Sequence, residues 1–244
     1  MKIFLAGGGG GQKLWINRGY FDFFRLVSFY GISKKEKEVV KIYKSFLLDS
    51  GAFTFMNNNK GDVNWNKYIE DYASFINEYD IKHFFELDID PIVGIQEVER
   101  LRTKLEHLTN KKCIPVWHKS RGKDYWLKII KDYEYVAIGG IVTREIKPKD
   151  YPFFTWFLNE AKKNNCKVHG LGFTNLKGLE KYKFYSVDST SWVSGNRFGL
   201  AYLFNGKTMI IQYKKEGQRV KTNEVALHNF TEWVKFSKYA ERSL

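Results

Sequence analysis

The chain has 244 residues, and its 40 lysines and arginines outnumber 27 aspartates and glutamates to leave a net charge of +13. Hydrophobic residues at 43% and charged residues at 27% are globular values that exclude a disordered chain, a collagen and a coiled coil. A mean hydropathy of −0.43 and the lack of any apolar run near ~18 residues exclude a membrane-spanning helix, and the apolar stretch in Met1–Ala6 is too short for a signal peptide.

Short apolar runs alternate with helical patterns along the chain. Lys2–Ala6 reads as the first strand and leads into the glycine run Gly7–Gly11. That run is neither a phosphate loop nor a dinucleotide fingerprint, because Gln12, Lys13 and Leu14 follow it. It reads as a flexible loop whose backbone N–H groups can face an anion. The next strand is Ser45–Asp49, followed by a helix over Asn64–Tyr79 with Trp65, Tyr68, Ile69 and Tyr72 on one stripe. Strand His83–Asp88 precedes helix Ile95–Leu108, where Val98, Leu101, Leu105 and Leu108 repeat at helical spacing. Then come strand Cys113–Trp117, helix Asp124–Lys131, strand Tyr135–Gly139, helix Pro152–Lys163, strand Lys167–Gly172 and helix Asn175–Tyr182. Strands Phe184–Asp188 and Thr208–Tyr213 and helix Val225–Tyr239 complete the chain. Strands apolar on both faces and alternating with helices predict an α/β fold with a covered parallel sheet. Eight such runs match a single (β/α)₈ TIM-like barrel without a zinc subdomain, with a doubly wound open sheet as the alternative. No linker or repeat interrupts the pattern, so residues 1–244 are expected to form one domain.

In a barrel, chemistry gathers at the C-terminal ends of the strands. Here those ends read Asp49-Ser50-Gly51-Ala52-Phe53, Glu86-Leu87-Asp88-Ile89-Asp90, Trp117-His118, Gly139-Gly140, His169-Gly170-Leu171-Gly172 and Asp188-Ser189-Thr190. Carboxylates crowded onto one rim raise one another's pKa, as acid–base chemistry requires, although an Asp after a strand also serves as a helix cap. Cys113 and Cys166 read as reduced core residues, which suits a cytoplasmic compartment. His118 and His169 lack ligand partners at i+2 or i+4, so no metal and no cofactor is expected. The positive charge suits a polyanionic partner, and a lysine-rich, A/T-biased genome would produce the same excess.

The ordered strand-end motifs resemble those of the tRNA-guanine transglycosylases. In size and absence of zinc the chain is more similar to the phage-type enzymes that insert 7-deazaguanine bases into DNA. The resemblance is carried by Asp49-Ser50-Gly51-Ala52-Phe53, Ala137-Ile138-Gly139-Gly140-Ile141, His169-Gly170-Leu171-Gly172 and Tyr185-Ser186-Val187-Asp188-Ser189-Thr190. Gly195-Asn196-Arg197-Phe198-Gly199 and Phe204-Asn205-Gly206-Lys207 extend it, so that it covers residues 45 to 213. Two departures stand out: the family's Cys-x-Cys-x-x-Cys…His zinc site is missing, and its Val-Gln-Gly segment is Val116-Trp117-His118.

The resemblance implies a glycosyltransferase that exchanges guanine in DNA for a preQ0-type base through a covalent aspartyl–glycosyl intermediate. The same exchange on tRNA and a base-excising N-glycosylase are the alternatives. Asp188 would be the nucleophile and Asp49 the general acid/base. Phe53 and His169 would sandwich the base, and Asp88 or Asp90 would accept its hydrogen bonds. Gly139 and Gly140 would let backbone amides approach the base edge. Ser50, Gly51, His118 and Gly170 would complete the substrate pocket, and Arg197 would hold a phosphate. Trp15, Trp117 and Trp192 are candidates to fill the gap left by a flipped base. The implied partners are DNA or tRNA and the deazaguanine base, with no membrane, and the oligomeric state stays open.

Overall fold

Strands β1 (Lys2–Leu5), β2 (Phe24–Ser28), β3 (Ser45–Asp49), β4 (Val116–Trp117), β5 (Tyr135–Ile138), β6 (Lys167–Gly170) and β7 (Ser186–Ser189) form a parallel sheet in the order β3-β2-β1-β7-β6-β5-β4. The computed structural model that shows this describes residues 1–7, 15–51, 54, 63–193, 199–213 and 221–244. Register follows from alternation. Phe4, Leu26, Leu47, Phe85, Val116 and Ala137 gather in one apolar cluster inside the curl of the sheet. Their neighbours Ile3, Leu5, Val136, Ile138, Val168 and Val187 join a second cluster against the helices. Most of the strands are thus apolar on both faces, which is why their runs look continuous in sequence.

The helices are α1 (Lys34–Val39), α2 (Trp65–Glu78), α3 (Asp90–Val93), α4 (Ile95–Thr109), α5 (Gly122–Asp132), α6 (Phe154–Lys163), α7 (Leu176–Lys181) and α8 (Thr222–Ser243). Side-chain caps start three of them: Ser33, Asn64 and Asn175 accept the N–H groups of Glu36, Lys67 and Gly178. The stripe Ile69, Tyr72 and Ile76 of α2 packs with Val98, Leu101 and Leu105 of α4, all fully or almost fully buried. Each such side chain contributes about 1.5–3 kcal/mol.

The α/β class and the curled parallel sheet match the sequence reading, whereas a closed barrel of eight regular strands does not. The segment expected as strand His83–Asp88 lies between the sheet's two edges and makes only isolated bridges, Leu48 with Phe84 and Phe85 with Ile114. Side chains occupy ladder positions there. Glu86 Oε1 accepts the Val116 N–H at 2.8 Å, and the Tyr72 hydroxyl reaches the carbonyls of Leu48 and Phe85 at 3.2 and 3.1 Å. Thr208–Tyr213 is not a barrel strand: β9 (Met209–Tyr213) pairs antiparallel with β8 (Leu200–Phe204) in a separate hairpin. Helix α8 holds the hairpin's inner edge, Asn229 accepting the Tyr202 N–H and donating to the Leu200 carbonyl, both at 2.8 Å. The barrel position expected for that run belongs to β2, a strand not anticipated because Arg25 interrupts its apolar pattern.

Trp15, Trp117 and Trp192 are core residues, not gap-fillers, at 1%, 5% and 0% exposure. Trp15 stacks on Phe230 at 4.7 Å and meets Trp192 edge-on at 5.3 Å. Cys113 and Cys166 are buried free thiols as expected. Among the described residues no helix is long and apolar enough to cross a membrane.

Candidate active site

A cleft of about 760 Å³ opens at the C-terminal ends of the parallel strands. Asp49, Asp88, His118, Gly139, Gly140, Gly172 and Asp188 line it, so the topology brings together residues that are far apart in the chain.

Asp49 closes β3, and the chain then turns sharply at Gly51. Gly51 has φ +87°, and a Cβ there would sit 2.5 Å from Tyr30 Cβ, so only glycine fits. Its N–H donates to Asp49 Oδ2 at 3.2 Å. The Tyr68 hydroxyl fixes the next peptide through the Ser50 carbonyl at 2.6 Å. Burial and then the negative charge of Asp88 push the Asp49 carboxyl up to about 7. Asp188 adds to this, while the Gly51 N–H and the Ser28 hydroxyl oppose it.

Asp188 lies in β7, two residues beyond Ser186 and on the same face. Its Oδ1 accepts the Gly172 N–H at 2.7 Å and meets His169 Nε2 at 3.2 Å. His169 Nδ1 bonds Ser186 Oγ at 2.6 Å, and Ser186 Oγ bonds the Tyr135 hydroxyl at 2.5 Å. A chain of polar groups therefore runs through the curl of the sheet and ends at Asp188. His169 is wholly buried within it, packed against Phe4 and Phe85. It positions Asp188 from below and cannot stack on a ligand in the cleft, because alternation in β6 turns it inward.

His118, just past β4, sits between two carboxylates. Its Nε2 meets Asp88 Oδ2 and its Nδ1 meets Glu145 Oε2, each at 3.1 Å. Burial alone would lower its pKa, but hydrogen bonds to Asp88 and Glu145 outweigh that and raise it to about 10. Glu145 is held below the usual carboxylate range by the same hydrogen bond. The two glycines make room for this triplet. A Cβ on Gly139 would lie 2.7 Å from the His118 ring, and one on Gly140 2.7 Å from Glu145 Oε2. The imidazolium is expected to persist well above neutral pH. Because its folded pKa is raised, its stabilising contribution is complete below about 6.5 and disappears as pH rises through about 10. Imidazole NMR should show His118 doubly protonated at pH 8, and Glu145→Gln should lower its pKa. A neutral His118 at that pH would refute the assignment.

The remaining sequence candidates separate clearly. Asp88 lines the cleft, whereas Asp90 opens α3 beside Pro91 and pairs with Arg121 at 2.8 Å. Burial would raise the Asp90 pKa, but Arg121 brings it below the usual range. Gly170 packs against Phe173 and Phe184, away from the cleft. Phe53, Arg197 and most of the glycine run, Gly8–Gly11, lie outside the described residues. Gly7 does border the cleft, and its carbonyl accepts from Arg25 at 2.6 Å. Sequence reasoning missed Arg25, Ser28, Tyr30 and Glu145. Arg25 carried a usable signal, a charge inside an apolar run. It is 1% exposed, pairs with buried Glu36 at 3.0 Å and ties β2 to the Leu5 carbonyl at 2.8 Å. Glu145 stands in an irregular segment whose pattern gave no signal. Among the described residues no group of three His, Cys, Asp or Glu is placed to hold a metal.

No protein-family profile matches the chain, and no curated protein matches it. Among solved structures, an HpcH/HpaI aldolase from Desulfitobacterium hafniense DCB-2 is similar with a TM-score of 0.42 and 10% identity, over 77% of this chain and 85% of that one. The expectation of a guanine transglycosylase, phage-type or tRNA-type, is corrected on the first two findings: no profile of that family and no curated member of it matches the chain. The glycosyltransferase chemistry and the base-excising alternative fall with it. DNA, tRNA and a deazaguanine base lose the resemblance on which they rested. The motif segments are short and glycine-rich. Glycines here serve turns and the packing of His118 and Glu145, so such segments recur for reasons of backbone geometry.

Proposed function

We propose that the chain is an enzyme using Asp49 to transfer a proton at a small, neutral or cationic substrate rich in O–H or N–H groups. The observation that carries this reading is the convergence of Asp49, Asp88 and Asp188 on one cleft, with Asp49 facing the charge of the other two. A carboxyl near 7 is populated in both forms at neutral pH and serves as donor or acceptor without a further partner. Asp88 and Asp188 are hydrogen-bond acceptors held in place by His118, Gly172 and His169, suited to orienting donor groups. Among the described residues lining the cleft, the cations Arg25 and His118 are already engaged by Glu36 and by Asp88 and Glu145. In a highly basic chain the described lining of the cleft is thus acidic, which disfavours phosphorylated or carboxylate substrates there.

The test is a ligand panel read by thermal shift, with polyols and sugars, small amines and guanidines, and phosphorylated or dicarboxylic compounds as separate arms. The first two arms are expected to stabilise the wild type, and Asp188→Asn to remove the effect. On any compound turned over, Asp49→Asn should lower kcat by about 10²–10⁴ with little change in binding. Cleft binding confined to the anionic arm, or turnover unaffected by Asp49→Asn, would overturn the reading.

A further inference from the structure

We propose that the opposite, N-terminal end of the sheet holds a separate binding site for a small phosphate-bearing ligand. A cup of about 450 Å³ lies there, lined among others by Lys2, Lys82, His83, Tyr135, Lys167 and Tyr185. These residues stand at or just before the starts of β1, the bridging segment after Lys82, and β5, β6 and β7. Because the strands are parallel, the cup faces away from Asp49, and the proposal is independent of the proton-transfer reading.

The charge balance in the cup calls for an anion. The ion pairs on that side use other lysines, Lys111 with Asp80 at 2.7 Å and Lys112 with Glu106 at 3.0 Å. Lys2 donates instead to the neutral Tyr185 hydroxyl at 2.8 Å. Lys2 and Lys167 both lie over the Tyr185 ring, at 4.9 and 5.3 Å from its centroid. Asp132 and Glu134 also border the cup, exposed like Lys82 and Lys167, and among the described residues no ion pair joins them to Lys2, Lys82 or Lys167. His83 reports how closely the ammonium groups converge. Its pKa is lowered by burial and then by the charges of Lys167, Lys2 and Lys82. Its ring meets Tyr135 edge-on at 5.9 Å.

Three ammonium groups and the Tyr185 hydroxyl are donors, and a phosphate group offers several acceptor oxygens to a convergent set of this kind. The rings of Tyr133, Tyr135 and Tyr185 supply flat apolar wall for an attached body, and the volume lies in the small-ligand range. A nucleic-acid strand would need a basic track leading out of the cup, yet the adjoining Lys44 is paired with Glu241 at 2.6 Å. Stability alone does not explain the cluster, since like charges gathered without a direct ion pair oppose folding.

Imidazole NMR on the full chain tests this, with inorganic pyrophosphate added at constant ionic strength and His83 assigned through His83→Gln. The His83 signal is expected to shift saturably and its pKa to rise, because a bound anion offsets the lysine charges. Lys82→Gln and Lys167→Gln, both at exposed positions, should each weaken the response about tenfold with unchanged circular dichroism. Absence of a saturable His83 shift, or a shift unaltered in both variants, would overturn the site. Saturation by a short single-stranded oligonucleotide but not by pyrophosphate would overturn its assignment to a small ligand.

Discussion

Glu86→Ala is expected to lower the free energy of unfolding by about 3–5 kcal/mol, measured as a lower urea midpoint at unchanged slope. Glu86 is fully buried between two buried arginines, accepting from Arg102 at 3.0 Å and Arg121 at 2.7 Å, and it also takes the Val116 N–H at 2.8 Å. Truncation leaves two guanidinium groups short of a partner and one strand N–H without its acceptor. The damage extends to the start of α3, because Arg121 also holds Asp90. Glu86→Gln keeps one acceptor and should fall between alanine and wild type. A loss below ~1 kcal/mol for alanine would show that water replaces the carboxylate, contrary to its burial.

The second large effect concerns Asp49. Its folded pKa of about 7 exceeds the ordinary value of 3.8, so the folded state binds the proton more tightly than the unfolded one. Folding is therefore favoured by protonation, and stability declines as pH rises through the window from about 4 to about 7. Above that window the ionised group opposes folding. Asp49→Asn removes the ionisation and should stabilise the protein at pH 8 by about 2–4 kcal/mol while flattening the pH dependence between the two values. Denaturant melts of both proteins at pH 4.5 and pH 8 check this. A variant less stable than wild type at pH 8 would show that the cleft relaxes around the charge. A stabilising loss of the proposed catalyst is the behaviour of a site that sacrifices stability for reactivity.

The α/β class, the parallel sheet and the position of Asp49, Asp88, His118 and Asp188 around one mouth were legible in the sequence. Strands buried on both faces leave continuous apolar runs, and the residue at the end of each run must face the same end of a parallel sheet. β2 was hidden because Arg25 is a buried charge whose partner Glu36 comes from α1, a contact that no local pattern encodes. The run Met209–Tyr213 misled in the opposite sense: it has strand composition, but only tertiary placement decides which sheet a strand joins. His169 shows the limit at the site. Its place near a strand end suggested exposure, while the two-residue alternation that turns it inward also follows from the sequence once the strand is placed. Family membership was the weakest inference, resting on short glycine-bearing segments.

The pairing of β1 constrains how the chain reaches this structure. β1 lies in the middle of the sheet between β2 and β7, with Ile3 beside Val187, and the Ser237 hydroxyl of α8 donates to the Ile3 carbonyl at 3.0 Å. Its contacts on the β7 side therefore span almost the whole sequence, and such long-range closure is slow because loop entropy is lost before contacts reward it. During synthesis β1 emerges long before β7, so its apolar residues Ile3 and Leu5 must wait unpaired on that side or under temporary cover. Nascent chains halted before Ser186 should accordingly be more prone to protease cleavage and chaperone capture than chains that include it.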